Sequence, residues 1–237
     1  MRATVVHEVA PRETAPEPES KPERVAESPP EPLPRTRRLL VVCAHPFDAT
    51  VTLGGVIAAF ADTGTAVQVI CMTHDPGPDP DGRRRPVRAA QLLRAARLLG
   101  AREATLLEHR AAHLQWNPPE VLATELRSVA GPVDAVLTID AGAPGSHPDL
   151  VRAARAARRV ASRLGCPLYA WVPRTWDTDQ PPEGVITVTC DRARQRAAIG
   201  CHDAPGPRDP AQGPCAEPAG EAADATADEP QDYLTIR

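Results

Sequence analysis

Nowhere in this 237-residue sequence are two cysteines spaced as CxxC, no apolar run approaches the ~20 residues that cross a bilayer, and lysine occurs once, at Lys21. Each absence removes a class of reading. Cys43, Cys71 and Cys190 instead fall within or beside apolar, strand-like runs, where cysteine behaves as a small hydrophobe, so they read as core. No apolar stretch near Met1 resembles a secretion signal, and the expected setting is a reduced cytoplasm with no membrane contact. With a single lysine, arginine carries nearly all the positive charge, which points to a codon-biased source and not to a function. The formal net charge of −4 argues against a general nucleic-acid binder, although acidic ends can mask a more basic middle. Two nucleotide signatures are also missing. There is no GxGxxG after the first apolar run and no GxxxxGK[ST] anywhere, which excludes the dinucleotide fingerprint and the Walker loop.

What is present is uneven along the chain. Residues 1–36 and 203–237 are dominated by Pro, Ala and acid, without sustained apolar periodicity, and cannot repay the entropy of ordering. They read as disordered segments, in which only the terminal YLTIR has the character to dock. Residues 37–202 are left as one domain of ordinary size. Within it, apolar runs alternate with amphipathic ones. RLLVVCA (38–44), AVQVICMT (66–73), EATLLE, VDAVLTID (133–140), PLYAWV and VITVTC read as strands. Between them lie helices expected at 53–61, 84–101, 118–130, 148–164 and over DRARQRAAIGCH. Unbroken β-branched strands alternating with helices imply a Rossmann-like three-layer α/β/α sandwich with a mostly parallel sheet.

Fold alone assigns no chemistry, so the loops after the strands must. AHPFD follows the first strand and GSHPDL the fourth, placing two His-Pro segments, each with an Asp close behind, at the carboxyl edge of the sheet, where open α/β folds bind ligands. An apolar strand, AHPFD, a helix-opening LGG and a later GSHPDL resemble the PIG-L or LmbE-like N-deacetylase family over roughly residues 38–202. The likeness extends to the R..Q...AARLLGA helix and to the late helix ending at His202. The family's first loop typically reads AHPDDE and its second GHPDH. The resemblance implies that His45 and Asp48 form a metal pair, that His147 stabilises a developing oxyanion, that Asp149 orients a neighbour, and that Arg88 contacts ligand.

The departures from the family pattern carry as much information. Phe47 stands at the position of the general base, Ala49 replaces a Glu, Gln91 replaces the Glu of the helix motif, and Leu150 occupies the position of the third zinc ligand. A catalytic zinc needs three protein donors and a water, and Leu150 has no lone pair. A phenyl ring accepts no proton. Zinc is therefore expected to be weakly held or absent. The leading expectation is an eroded deacetylase site that binds a sugar-like or amine-bearing small molecule, or a partner protein through the tails. A second is a working zinc-dependent N-deacetylase in which Asp149, His147 or His74 completes a distorted metal site. A third is a non-enzymatic interaction protein. Of the other histidines, His74 is the best substitute ligand by position, and His109, His113 and His202 are weaker ones. Trp116, beside His113, is a candidate for a pocket wall. The basic stretch GRRRPVR (82–88) reads equally as an anion contact and as a solvated helix start, and the arginines of 152–163 read as a wet helix face.

Overall fold

The computed structural model describes residues 32–74, 84–142, 146–175, 182–203 and 231–236. Most of the two segments read as disordered, 1–31 and 204–230, lies outside the described residues, as do residues 82 and 83 of the basic stretch. The elements run β1 (Arg38–Cys43), α1 (Gly54–Asp62), β2 (Ala66–His74), α2 (Arg84–Leu98), β3 (Glu103–Arg110), α3 (Pro119–Val129), β4 (Ala135–Ile139), α4 (Pro148–Leu164), β5 (Leu168–Val172), β6 (Val185–Thr189), α5 (Arg192–Asp203) and β7 (Gln231–Ile236). The seven strands form one sheet in the order β3-β2-β1-β4-β5-β7-β6. β1 to β5 pair in parallel, as their unbroken apolar runs require, since both faces of the sheet are covered.

Strand alternation divides the core in two. On one face Leu39, Val41 and Cys43 of β1 pack with Val56, Ile57 and Phe60 of α1, Leu92 and Leu99 around α2, and Ala198 and Cys201 of α5. On the other, Leu40 and Val42 meet Leu122 and Leu126 of α3 and the inner stripe of α4, Ala153, Ala156, Ala157, Val160 and Ala161. That stripe, at spacings of three and four, leaves the α4 arginines Arg155, Arg158 and Arg159 exposed. α4 starts at Pro148, whose fixed φ suits the first helical position, and stops at Gly165 in the left-handed region at φ +61°. Among the described residues no helix is long and apolar enough to cross a membrane.

The sheet reaches beyond the range 37–202. β7 inserts between β5 and β6, antiparallel to both, with Val172 opposite Tyr233 and Thr187 also opposite Tyr233. The docking segment at the end of the sequence is therefore an interior strand, and β6 joins the sheet through it. Six residues preceded by a Pro- and acid-rich run give no local signal of which strand they will pair with.

Candidate functional site

Both His-Pro loops arrive at the carboxyl edge of the sheet. After β1 the chain turns through extended His45 into a 3₁₀ turn over Pro46–Ala49. Asp48 closes the turn by accepting the His45 backbone N–H at 2.7 Å. After β4, His147 caps α4: its Nδ1 accepts the backbone N–H of Asp149 at 3.2 Å. The two imidazoles meet edge to face, with centroids 5.2 Å apart. A cleft of about 420 Å³ opens here, with His45, Phe47, Asp48, His74, Arg88, Ala111, Ala112, His147 and His202 in its lining.

Four of the five residues singled out from the motifs line this cleft, and the fifth, Asp149, lies fully buried beneath it. The Asp149 carboxylate accepts the backbone N–H groups of Ala112 at 2.6 Å and Leu114 at 3.0 Å, and its Oδ2 lies 3.4 Å from His45 Nε2. Ala112 reaches this bond from the left-handed region, at φ +66°, which costs a non-glycine residue ~1 kcal/mol. His45 is bracketed, because its other nitrogen, Nδ1, lies 3.4 Å from Asp48 Oδ2. Arg88 donates to Gln91 Oε1 at 3.0 Å and to the His202 carbonyl at 3.3 Å. Buried Gln91 also donates to that carbonyl, so the Gln in place of the family's Glu works as a tie between α2 and α5.

The bracket around His45 has an electrostatic consequence. The Asp48 carboxylate first, with Asp149 adding to it, holds the His45 pKa above the ordinary imidazole value, although burial opposes this. A folded-state pKa above the unfolded one contributes stability that is complete below about pH 6.5 and is lost as pH rises through the folded value. Asp48→Asn keeps an oxygen for the His45 N–H but loses the charge. Its stability deficit, by urea denaturation, will be larger at pH 5.5 than at pH 9; an equal deficit at both would show that the pair carries no charge coupling.

The tautomer of His147 follows from its cap. A backbone N–H only donates, so Nδ1 holds a lone pair and the neutral ring carries its proton on Nε2. His147 is thus set as a hydrogen-bond donor. One ligand atom each from His45, His147 and Asp149 lie within 4.8 Å of one another, close enough to surround an ion. As arranged, however, each is engaged: His45 by two carboxylates, Asp149 by two amides, His147 by its cap. Asp48 lies outside this trio. Leu150 packs against both cores and offers no donor, so the ligand set that the family resemblance implies is incomplete, and the trio of His45, His147 and Asp149 is what the described residues offer in its place.

The remaining candidates separate. His74 and His202 line the cleft, and the His202 ring lies against Phe47, tilted by 33° with centroids 4.6 Å apart. His109 pairs instead with Glu125 at 2.6 Å, and His113 Nδ1 lies 3.1 Å from the Ala111 carbonyl oxygen. Trp116 is exposed to solvent. Sequence reasoning missed the backbone donors at Ala112 and Leu114, which no side-chain pattern marks, and Gln195, whose amide donates to the carbonyls of Thr50 and Val51.

No curated protein matches the chain. Among solved structures, an antimicrobial pseudoaglycone deacetylase is 22% identical, with a TM-score of 0.53 over 71% of this chain and 82% of that one. The N,N'-diacetylchitobiose deacetylase from Pyrococcus horikoshii is 20% identical, with a TM-score of 0.50 over 73% and 72%. The zinc-inhibited form of a teicoplanin deacetylase is 17% identical, with a TM-score of 0.52 over 70% and 83%. These likenesses are of fold. The PIG-L family model, described as GlcNAc-PI de-N-acetylase, matches residues 40–161, half of the sequence, and on that match the chain belongs to the PIG-L family.

Proposed function

We propose that this chain keeps the family's pocket as a binding site for a sugar-like or amine-bearing small molecule, in a cytoplasmic setting, with zinc held weakly and amide hydrolysis weak or lost. The observation that carries this reading is Phe47. Its ring stands in the cleft lining, against the His202 ring, at the position where the family resemblance implies a general base. A group that takes a proton must lie within hydrogen-bond reach and hold a lone pair, and the phenyl holds none. What remains suits binding. His147 Nε2–H donates to a ligand carbonyl or hydroxyl, Arg88 brings a cation, and Phe47 with Ala111 and Ala112 gives an apolar wall.

Measurement of bound metal and zinc titration test the reading. The purified protein is expected to carry far less than one zinc per chain, and calorimetry to find no site tighter than micromolar. A nanomolar site lost on His45→Ala would overturn it and favour a working N-deacetylase. One observation supports that second reading. The 3.4 Å between His45 Nε2 and Asp149 Oδ2 equals the edge of a tetrahedron around an ion with bonds of about 2.1 Å.

A further inference from the structure

Helix α5 touches the site loop at both of its ends. At its far end the His202 ring lies against Phe47, and its backbone carbonyl receives Arg88 and Gln91 from α2. Near its start Gln195, almost fully buried, donates from Nε2 to the carbonyls of Thr50 at 2.9 Å and Val51 at 2.7 Å. Those two residues close the 3₁₀ turn that carries Phe47 and Asp48, since both their N–H groups bond the Phe47 carbonyl. The opposite end of the same amide is also used: Oε1 accepts Arg192 Nη1 at 2.5 Å. With carbonyls on one side and a guanidinium on the other, one orientation of the amide satisfies all partners. Arg192 in turn reaches buried Asp232 of β7, with Nη2 to Oδ1 at 3.1 Å and Nη1 to Oδ2 at 3.3 Å. Asp232 sits opposite Val188 in the β6–β7 ladder, and its backbone is fixed there.

We infer that Gln195 is a positioning residue of the pocket, oriented by Arg192 and Asp232, and that β7 thereby sets the loop bearing His45, Phe47 and Asp48. The chain of contacts is continuous: strand carboxylate, guanidinium, amide, loop carbonyls. Asp232 touches nothing in the cleft, yet it fixes which end of the Gln195 amide faces the loop. The inference takes the cleft as the functional site and is independent of what the cleft binds.

Gln195→Glu tests it, because the substitution keeps the shape and the Arg192 partner but replaces two donors with an oxygen facing two carbonyl oxygens. Amide hydrogen exchange, read by NMR on the protein without ligand or added metal, is expected to accelerate by about tenfold or more at Thr50, Val51 and Leu53. Exchange at Ala130, beyond the opposite face of the sheet, should stay as it was. The His45 ring resonances should shift with the loop. Asp232→Asn should give the same local pattern at smaller size, and serves alone if Gln195→Glu does not fold. Unchanged exchange in the loop would overturn the inference, as would equal acceleration at Ala130, which signals general loss of stability. Since no ligand enters the measurement, failure of the proposed function would leave this result standing, and the reverse also holds.

Discussion

Phe47→Asp and Leu150→His, made together, will release acetate from N-acetylglucosamine derivatives faster than either change alone and faster than the unmodified chain. On the proposed reading the two changes supply different missing parts. Phe47 is 44% exposed within the cleft lining, so a carboxylate there is solvated and faces the ligand space. Leu150 lies in the first turn of α4, one residue from Asp149, and on the proposed reading an imidazole at that position supplies the third donor a zinc site requires. It also takes apolar contacts from both cores, so Leu150→His is expected to cost about 2 kcal/mol of stability. Alone it should tighten zinc binding with little hydrolysis. Phe47→Asp alone should do neither. A positioned general base contributes about 10²–10⁴ in rate, so the double variant should exceed Leu150→His by at least about a hundredfold. The effects are non-additive because base and metal act on the same reacting group. Acetate release from the unmodified chain at the rate of the double variant would end the eroded-site reading.

Gly55→Ala will lower the melting temperature by about 6–12 °C, from a loss of about 3 kcal/mol. The glycine sits in the first turn of α1, where the sequence has LGG, and its place next to β6 and β7 leaves no volume for a side chain. An added Cβ would stand 2.5 Å from Cys190 Sγ, 2.7 Å from Cys190 Cβ and 2.7 Å from Asp232 Oδ2. None of these can swing aside cheaply. Cys190 follows β6 directly and Asp232 holds Arg192, while burial first and the Asp232 carboxylate second keep the Cys190 thiol protonated and donating to that carboxylate. Gly131→Ala is the control, because its nearest neighbour would be a Gln68 side-chain oxygen at 3.9 Å. Equal melting temperatures for the two variants would show that α1 moves freely away from the last strands.

The parts that were legible in the sequence are those carried by local pattern. β1 and β4 announce themselves as β-branched runs, and each is followed by its His-Pro segment, so the meeting of His45 with His147 was readable although a hundred positions separate them. Phe47 and Leu150 were readable as departures because the motif around them is intact. Illegible were contacts made by groups that all residues share. Asp149 is held by the amides of Ala112 and Leu114, and nothing in the sequence marks Ala112 for a left-handed turn. Gln195 was hidden for another reason: DRARQRAAIGCH has the composition of a solvated helix, and only its packing against the start of α1 and the loop after β1 buries Gln195. β7 itself was seen as a segment able to dock, but its partners were beyond reach, since strand pairing over more than sixty positions leaves no local trace.

The place of β7 between β5 and β6 also fixes an order of events during synthesis. The chain up to residue 203 is made before the segment that completes the sheet, and among the described residues β6 has no strand neighbour except β7. Until residues 231–236 emerge, β5 presents an open row of backbone donors and acceptors along its outer edge, a template for pairing with other chains. Closing that edge requires a contact of long sequence separation, which forms slowly relative to the parallel core already built from β1 to β4. Aggregation of the nascent protein will therefore depend less on the core than on how quickly six residues find a gap that their own arrival creates.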